Sequence, residues 1–288
     1  MQLTFSRVYF KFKIIFFLLF SPLVSVADLD PESKMPSTQT GMYKDYIIKF
    51  AQGESPSVVL NKLSITRQGK DLFTMEGVQN IRSGTDLKEI GDLNIINSPL
   101  LIVDDYSGGA HCCYSTTILK LHPDFKILAT FEGKDSEVEI EKLSNPDSFR
   151  VRLKDWSYAY KWTSFAESHA PEIVLHLVGD KVSVAHKEMV KKPLNSQELN
   201  HIIQDINSTN YPDFEYYPLE QQKEELYFSK LLKPALDLIY SGNTKQAQQI
   251  IDQTWPGDEA SKERFMSDLK QALRESNYYN DIAELNKP

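Results

Sequence analysis

One short run of the sequence concentrates the side chains that could do chemistry. It covers positions 104–114 and reads DDYSGGAHCCY, which brings carboxylate, hydroxyl, imidazole and thiol groups close together. Ser107 and His111, with either Asp104 or Asp105, could serve as the nucleophile, base and orienting acid of a hydrolase. In a thiol-dependent enzyme, Cys112 would be the nucleophile and His111 its activating base. The run is therefore the candidate catalytic segment.

Other roles for the same run compete with catalysis. The Gly-x-Ser-x-Gly elbow of many hydrolases is absent, and residues four positions apart on a loop need not share a hydrogen bond. His111 with one thiol could hold a metal ion, but structural zinc usually takes four ligands at paired spacings that this chain lacks. No cofactor is therefore predicted, and neither calcium nor zinc is expected.

The two cysteines of the chain, Cys112 and Cys113, are neighbours. A disulfide between them would be strained, because adjacent Cα atoms are about 3.8 Å apart and disulfides usually need about 4.4 to 6.8 Å. Such a bond would lock the local backbone or take part in thiol exchange, whereas two buried thiols would simply pack in a structural loop. Gly108 and Gly109 permit a sharp bend, so with Tyr106 they are candidate binding residues.

The first 27 residues have the pattern of a secretory signal peptide. Cations at Arg7, Lys11 and Lys13 precede an apolar run, and Ser25-Val26-Ala27 supplies small residues for cleavage after Ala27. The apolar run is shorter than the ~20 residues of a membrane-spanning helix, so no span is expected after cleavage. We therefore predict a periplasmic or secreted protein in which residues 28–42 form a flexible mature N-terminus.

The net charge limits the kinds of partner that the chain is expected to bind. The chain has 32 Lys and Arg against 40 Asp and Glu, a formal net charge of −8, and loss of the three signal-peptide cations makes the mature charge −11. Nucleic-acid binding needs a basic face that neutralises phosphates. We therefore expect no nucleic acid as partner, and instead an envelope or extracellular protein or glycan, with basic partners favoured by charge.

Residues 43–192 have the pattern of an antiparallel all-β domain. Short runs rich in Val, Ile, Phe, Tyr and Thr alternate with turn signals about every 8 to 12 residues. Pairing Ile140 with Val151 places Glu141 beside Arg150 across one hairpin. Further hairpins are predicted at Gly179-Asp180, Gln68-Gly69 and Pro123-Asp124. The architecture would be a sandwich, a barrel or a partial propeller-like series of sheets.

The pattern becomes helical after Pro193, which makes the fold class α+β. Asn195 and Glu198 form the signature of a capping box, so 193–218 is predicted as a capped helix and linker. Residues 219–288 are predicted to be a small helical cluster. Its first helix would run over 219–240, with Leu226 on the apolar side and Pro234 kinking or dividing it.

Four aromatic residues alternate along one stretch of the β region: Trp156, Tyr158, Tyr160 and Trp162. In a strand they would share one face, because successive side chains point to opposite sides. Such a row could bind a glycan or a peptide by stacking. It could equally be a packed face of the core or a contact with the helices.

The run Ser107–Cys113, SGGAHCC, resembles a motif of exported, largely uncharacterised bacterial proteins. The similarity continues through WTSFAESHAP at 162–171 and, more loosely, through 238–242 to Trp255-Pro256. The resemblance implies export and a shared fold rather than an activity. Such proteins often carry an integrin-type calcium repeat before the motif, but here Gly91-Asp92 lacks the further acidic ligands that calcium needs.

Together these features favour an exported bacterial protein that binds or scaffolds a partner in the envelope without catalysis. The hypothesis rests on the missing catalytic constellation, the aromatic row and the helical C-terminal region. The alternative is a hydrolase or a thiol-dependent enzyme that uses the Asp104–Cys113 loop.

Overall fold

A computed structural model of the chain describes residues 38–53, 61–84, 87–107, 114–145, 148–209, 211, 214–216 and 224–287. These residues form three antiparallel sheets followed by helices, which confirms the predicted α+β class. Within the described residues, none of the helices is both long and apolar enough to cross a membrane.

The first sheet contains four strands in chain order: β1 (Thr38–Tyr43), β2 (Tyr46–Ala51), β3 (Lys62–Arg67) and β4 (Lys70–Glu76). The central sheet has the order β6-β5-β7-β8-β9, from β5 (Val78–Ser83), β6 (Lys88–Glu89), β7 (Leu100–Tyr106), β8 (Tyr114–Lys120) and β9 (Lys126–Lys134). The third sheet has the order β10 (Glu139–Lys142), β11 (Ser148–Lys154), β12 (Glu172–Val178) and β13 (Lys181–Val184).

The central sheet is buried on both faces. Leu101 and Val103 of β7 pack with the first sheet, whereas Leu100 and Ile102 pack with the third sheet and the helices. This explains why β7 begins as a continuous apolar run instead of an alternating one. The sheets therefore pack in series.

The predicted hairpins are confirmed at the level of register. Ile140 pairs with Val151 and Glu141 with Arg150, whose guanidinium Nη1 lies 2.5 Å from the Glu141 carboxylate. Gly179 and Asp180 connect β12 to β13, and the turns at Gln68-Gly69 and Pro123-Asp124 connect β3 to β4 and β8 to β9. Short turns thus join neighbouring strands, as antiparallel pairing allows.

The helices begin earlier than predicted. They are α1 (His186–Met189), α2 (Ser196–Asn207), α3 (Glu225–Tyr240), α4 (Thr244–Thr254), α5 (Glu259–Glu275) and α6 (Tyr279–Leu285). Neither α1 nor α6 was predicted, because each is too short to show a helical period. The capping box at Asn195 and Glu198 is confirmed, with Asn195 Oδ1 accepting from the backbone of Gln197 and Glu198.

Pro234 does not divide α3, which runs without a break from Glu225 to Tyr240, so of its two predicted effects only the kink stays a prediction. The expectation for Leu226 is wrong. Leu226 does not lie on the apolar side, since it is 57% exposed. The remaining apolar residues of α3 join a core shared with the third sheet, so the helices and that sheet bury one another.

Candidate functional site

The predicted chemistry-bearing run sits at the tip of the β7–β8 hairpin. The strands pair Asp104 with Thr116, Asp105 with Ser115 and Tyr106 with Tyr114. Ser107 is exposed at the end of the described stem. Gly108, Gly109, His111, Cys112 and Cys113 lie outside the described residues, so the vicinal disulfide, the thiol nucleophile and the His111 metal ligand stay predictions.

Asp104 is held by two neighbours in the stem. Arg82 of β5 donates through Nε and Nη2 at 2.8 and 2.7 Å to the two carboxylate oxygens, and Thr116 donates its hydroxyl at 2.7 Å. The side chains of Arg82 and Asp104 are only 20% and 21% exposed. A two-point pair of this kind fixes geometry as well as charge. Asp104 therefore anchors the stem, and both of its oxygens are engaged.

Asp105 occupies a different electrostatic environment. Burial raises the pKa of its carboxyl group above the ordinary value, and the neighbouring charge of Asp104 adds to this effect. A hydrogen bond from the hydroxyl of Ser115 acts in the opposite direction without cancelling it. Asp105 is thus a carboxylate whose ionised form the fold disfavours.

A pocket of about 370 Å³ lies beside this stem. Arg82 and the two aspartates line it from the central sheet, and Glu137 and Glu139 line it from the segment that enters the third sheet. Since Asp104 neutralises Arg82, the acidic groups dominate the charge of the lining. Sequence reasoning did not connect Glu137 and Glu139 with the loop.

Two further contacts lie where strands β7 and β8 end, next to the loop. The rings of Tyr106 and Tyr114 lie 4.7 Å apart across the strand ends. Gly77, with φ at +77°, accepts a hydrogen bond of 2.9 Å from the backbone of Tyr106, and a Cβ there would lie 2.7 Å from the Tyr106 carbonyl oxygen. The backbone of β7 therefore approaches the link between the first two sheets closely.

The prediction that the aromatic row lies in a strand is wrong. Trp156–Tyr158 forms a 3-10 turn, which Asp155 begins by accepting a hydrogen bond from the backbone N–H of Ser157. Tyr160 then adopts a positive φ of 63°. Local capping and this left-handed residue break the extended backbone that a shared face requires.

The four rings consequently face different surroundings. Tyr158 and Trp162 are 2% exposed, whereas Tyr160 is 61% exposed. Trp162 packs edge-on against Phe265 of α5 at 5.8 Å, and Trp156 stacks on Phe165 at 4.9 Å. For Tyr158 and Trp162 the packed-core interpretation describes what is observed.

Asp155 is a buried charged residue that sequence reasoning missed. Its Oδ2 accepts hydrogen bonds from the hydroxyls of Tyr240 and Ser276, both at 2.5 Å, and its Oδ1 accepts from Ser157. The Tyr240 hydroxyl also lies 2.8 Å from that of Tyr158. Burial, together with these neighbours, holds the pKa of Tyr240 far above its usual value, so the phenol stays a hydrogen-bond donor. The network ties the third sheet to the helices.

The expected absence of calcium at Gly91-Asp92 is not contradicted by the local structure. Asp92 caps a 3-10 turn, Leu93–Ile95, by accepting from the backbone N–H of Asn94 at 2.9 Å. In the portion of the chain that the structure describes, no group of three or more His, Cys, Asp or Glu residues is arranged to hold a metal ion.

No family model, curated protein or solved structure matches the chain.

Proposed function

We propose that this chain is an exported bacterial protein that binds a basic protein partner of the envelope or the extracellular space, without catalysis. The observation that carries this proposal is the engagement of Asp104 by Arg82 and Thr116. A carboxylate fixed in this way serves to hold the hairpin stem. Three donors from Arg82 and Thr116 already use its two oxygens, which favours this structural role over that of an orienting acid for His111.

The acidic pocket supports a basic partner. Glu137, Glu139 and Asp105 line it, and the Arg82 charge within it is already neutralised. A Lys or Arg side chain entering this pocket would meet complementary charge, and the acidic chain as a whole would speed its approach. Tyr114, which also lines the pocket, would then supply an aromatic contact beside the charged centre.

The proposal includes export of the chain from the cytoplasm. The N-terminal pattern of cations, apolar run and small residues supports a signal peptide cleaved after Ala27. Mass measurement of the protein recovered outside the cytoplasm tests this directly. A mature N-terminus at Asp28 is expected, and recovery of the intact N-terminus from the cytoplasm would contradict export.

Binding can be measured by fluorescence polarisation with a labelled tetralysine peptide, using its fully acetylated form to remove the charge. Glu137→Gln combined with Glu139→Gln should weaken binding about threefold to tenfold, since partly exposed charge pairs each contribute up to about 1 kcal/mol. Glu167→Gln with Glu263→Gln, at exposed positions elsewhere, changes the net charge equally and should have little effect.

Two results would overturn the proposal. One is equal loss of binding in both pairs of variants, which would mean that only the overall charge matters. The other is turnover of an ester or thioester substrate that disappears in Cys112→Ser, accompanied by rapid alkylation of a thiol with a depressed pKa. That second result would establish the enzyme alternative.

A further inference from the structure

The helical region contains a groove that is separate from the loop stem. It has a volume of about 550 Å³ and lies between α2, α3 and the segment before α2. Its apolar lining includes Leu194, Ile202 and Ile206 on one side and Pro234 and Leu238 on the other. Small-molecule sites typically occupy about 300 to 1,000 Å³ and are lined mainly by apolar side chains. The groove therefore has the size and lining of a ligand site.

The charged groups of this groove are mostly basic. They include four lysines, against two carboxylates at Asp205 and Asp237; the lysines are Lys191, Lys192, Lys230 and Lys233. A local excess of positive charge is notable in a chain whose formal net charge is −8. This excess lies beside an apolar lining, which is the combination that an anionic ligand with an apolar portion would require.

The lysines differ in how firmly they are held. Lys230 Nζ donates to the backbone carbonyl of Asp205 at 3.1 Å, and Lys233 Nζ lies 3.8 Å from a carboxylate oxygen of Asp237. Lys191 and Lys192 are exposed, and within the described residues their Nζ atoms make no hydrogen bond or close ion pair. These two ammonium groups are the ones available to a ligand.

Positive charges around the groove affect the pKa of Asp237. Burial alone would raise the pKa of this carboxyl group, but His169 at 2.7 Å, Lys233 and Lys191 together lower it below its ordinary value. Asp237 is therefore ionised and occupied by His169 and Lys233. Within the described residues, neither Lys191 nor Lys192 forms a close ion pair with Asp237.

We propose that this groove binds a small anionic amphiphile, with its apolar chain on the lining formed by Ile202, Pro234 and Leu238 and its carboxylate beside Lys191 and Lys192. The carboxylate accepts hydrogen bonds from the two ammonium groups, which stay near water at the rim. The chain removes apolar surface of α2 and α3 from water. This site is independent of the loop pocket.

Isothermal titration of the purified protein with laurate tests the proposal, with dodecyltrimethylammonium as the cationic control of equal chain length. Laurate should bind and the cation should not. Lys191→Gln combined with Lys192→Gln should weaken laurate binding about tenfold. Lys245→Gln with Lys270→Gln removes the same charge from exposed positions outside the groove and should leave the affinity within about twofold.

A second variant addresses the apolar lining. Ile202→Glu places a carboxylate in the groove and should abolish laurate binding while the thermal unfolding midpoint stays close to that of the parent protein, because Ile202 is only partly buried. Equal binding of both amphiphiles, absence of laurate binding, or an unchanged affinity in the Lys191/Lys192 variant would each overturn the proposal. Binding of an acidic peptide in place of laurate would also overturn it and assign the groove to a protein partner.

Discussion

The hydroxyl of Tyr240, at the end of α3, donates a 2.5 Å hydrogen bond to the buried carboxylate of Asp155, which follows β11. The two residues are 85 positions apart. Ser276, between α5 and α6, donates to the same oxygen. One carboxylate therefore joins the third sheet to two separate parts of the helical region, and its partners among the described residues are hydroxyl and backbone N–H donors.

We expect Tyr240→Phe to lower the free energy of unfolding by about 1 to 2 kcal/mol, because the Tyr158 hydroxyl and one oxygen of Asp155 each lose a partner. Urea denaturation followed by tryptophan fluorescence measures the change. Tyr279→Phe is the matched control, since Tyr279 is only partly buried. Equal stability of the two variants would show that the network contributes nothing to docking of the helices.

Acid should weaken the contact between α1 and the third sheet. Hydrogen bonds from Arg150 lower the pKa of Glu188 below its usual value, and His176 adds to this effect. A carboxyl group with a lowered folded-state pKa stabilises the fold above its unfolded value of about 4.5, and this contribution is lost as the pH falls through the folded value. Stability should therefore fall below about pH 4.5.

Glu188→Gln should be less stable than the parent protein at pH 7 and should lose less stability between pH 5 and pH 3. Denaturation curves at a series of pH values provide the test. Glu263→Gln, at an exposed position of α5, is the control. Its free energy of unfolding should change with pH as that of the parent protein does. If the stability of Glu188→Gln falls with decreasing pH as steeply as that of the parent protein, the acid sensitivity arises from other groups.

Asp105→Asn should stabilise the protein at neutral pH. Burial and Asp104 raise the folded-state pKa of Asp105, so the fold loses stability as the pH rises above the unfolded value of 3.8, and the loss is complete above the folded value. The gain should disappear below about pH 3.8, where the carboxyl group is protonated in both states. Asp104→Asn should have the opposite effect, because it breaks the pair with Arg82. Thermal unfolding midpoints at pH 7 and pH 3.5 distinguish the two.

Gly77→Ala should destabilise the protein by about 1 to 3 kcal/mol more than Gly69→Ala. Both glycines have a positive φ, +77° and +76°. A Cβ at Gly77 would contact the carbonyl oxygen of Tyr106 at 2.7 Å, whereas nothing lies within 4 Å of one at Gly69. Equal losses in chemical denaturation would mean that the close approach at the loop stem relaxes without cost.

Much of the fold could be predicted because its signals are local. The turn at Gly179-Asp180 and the alternation around Ile140 and Val151 determine which residues face each other, and both pairings are observed. The failure at Trp156–Trp162 also has a local cause. A capping aspartate and a left-handed Tyr160 interrupt what alternation alone would make a strand, and the rings then follow contacts with distant helices.

The candidate site was harder to predict because its partners are distant in sequence. The loop lies inside the predicted β domain, but the pairing of β5 with β7 that brings Arg82 to Asp104 crosses 22 positions and bypasses β6. Asp155 gave only the signal of a local cap, and its partners at Tyr240 and Ser276 depend on how the helices dock. No local pattern encodes such contacts.

The serial arrangement of three sheets has a kinetic consequence. Most strands pair with neighbours in chain order, so their hairpins close short loops at small entropic cost, and contacts of short range favour rapid folding. The bond between Asp155 and Tyr240 spans 85 positions and must close late. We therefore expect the sheets to assemble first and the helices to dock last. In pulse-labelled amide exchange during refolding, the amide of Ile102 should become protected before that of Leu236.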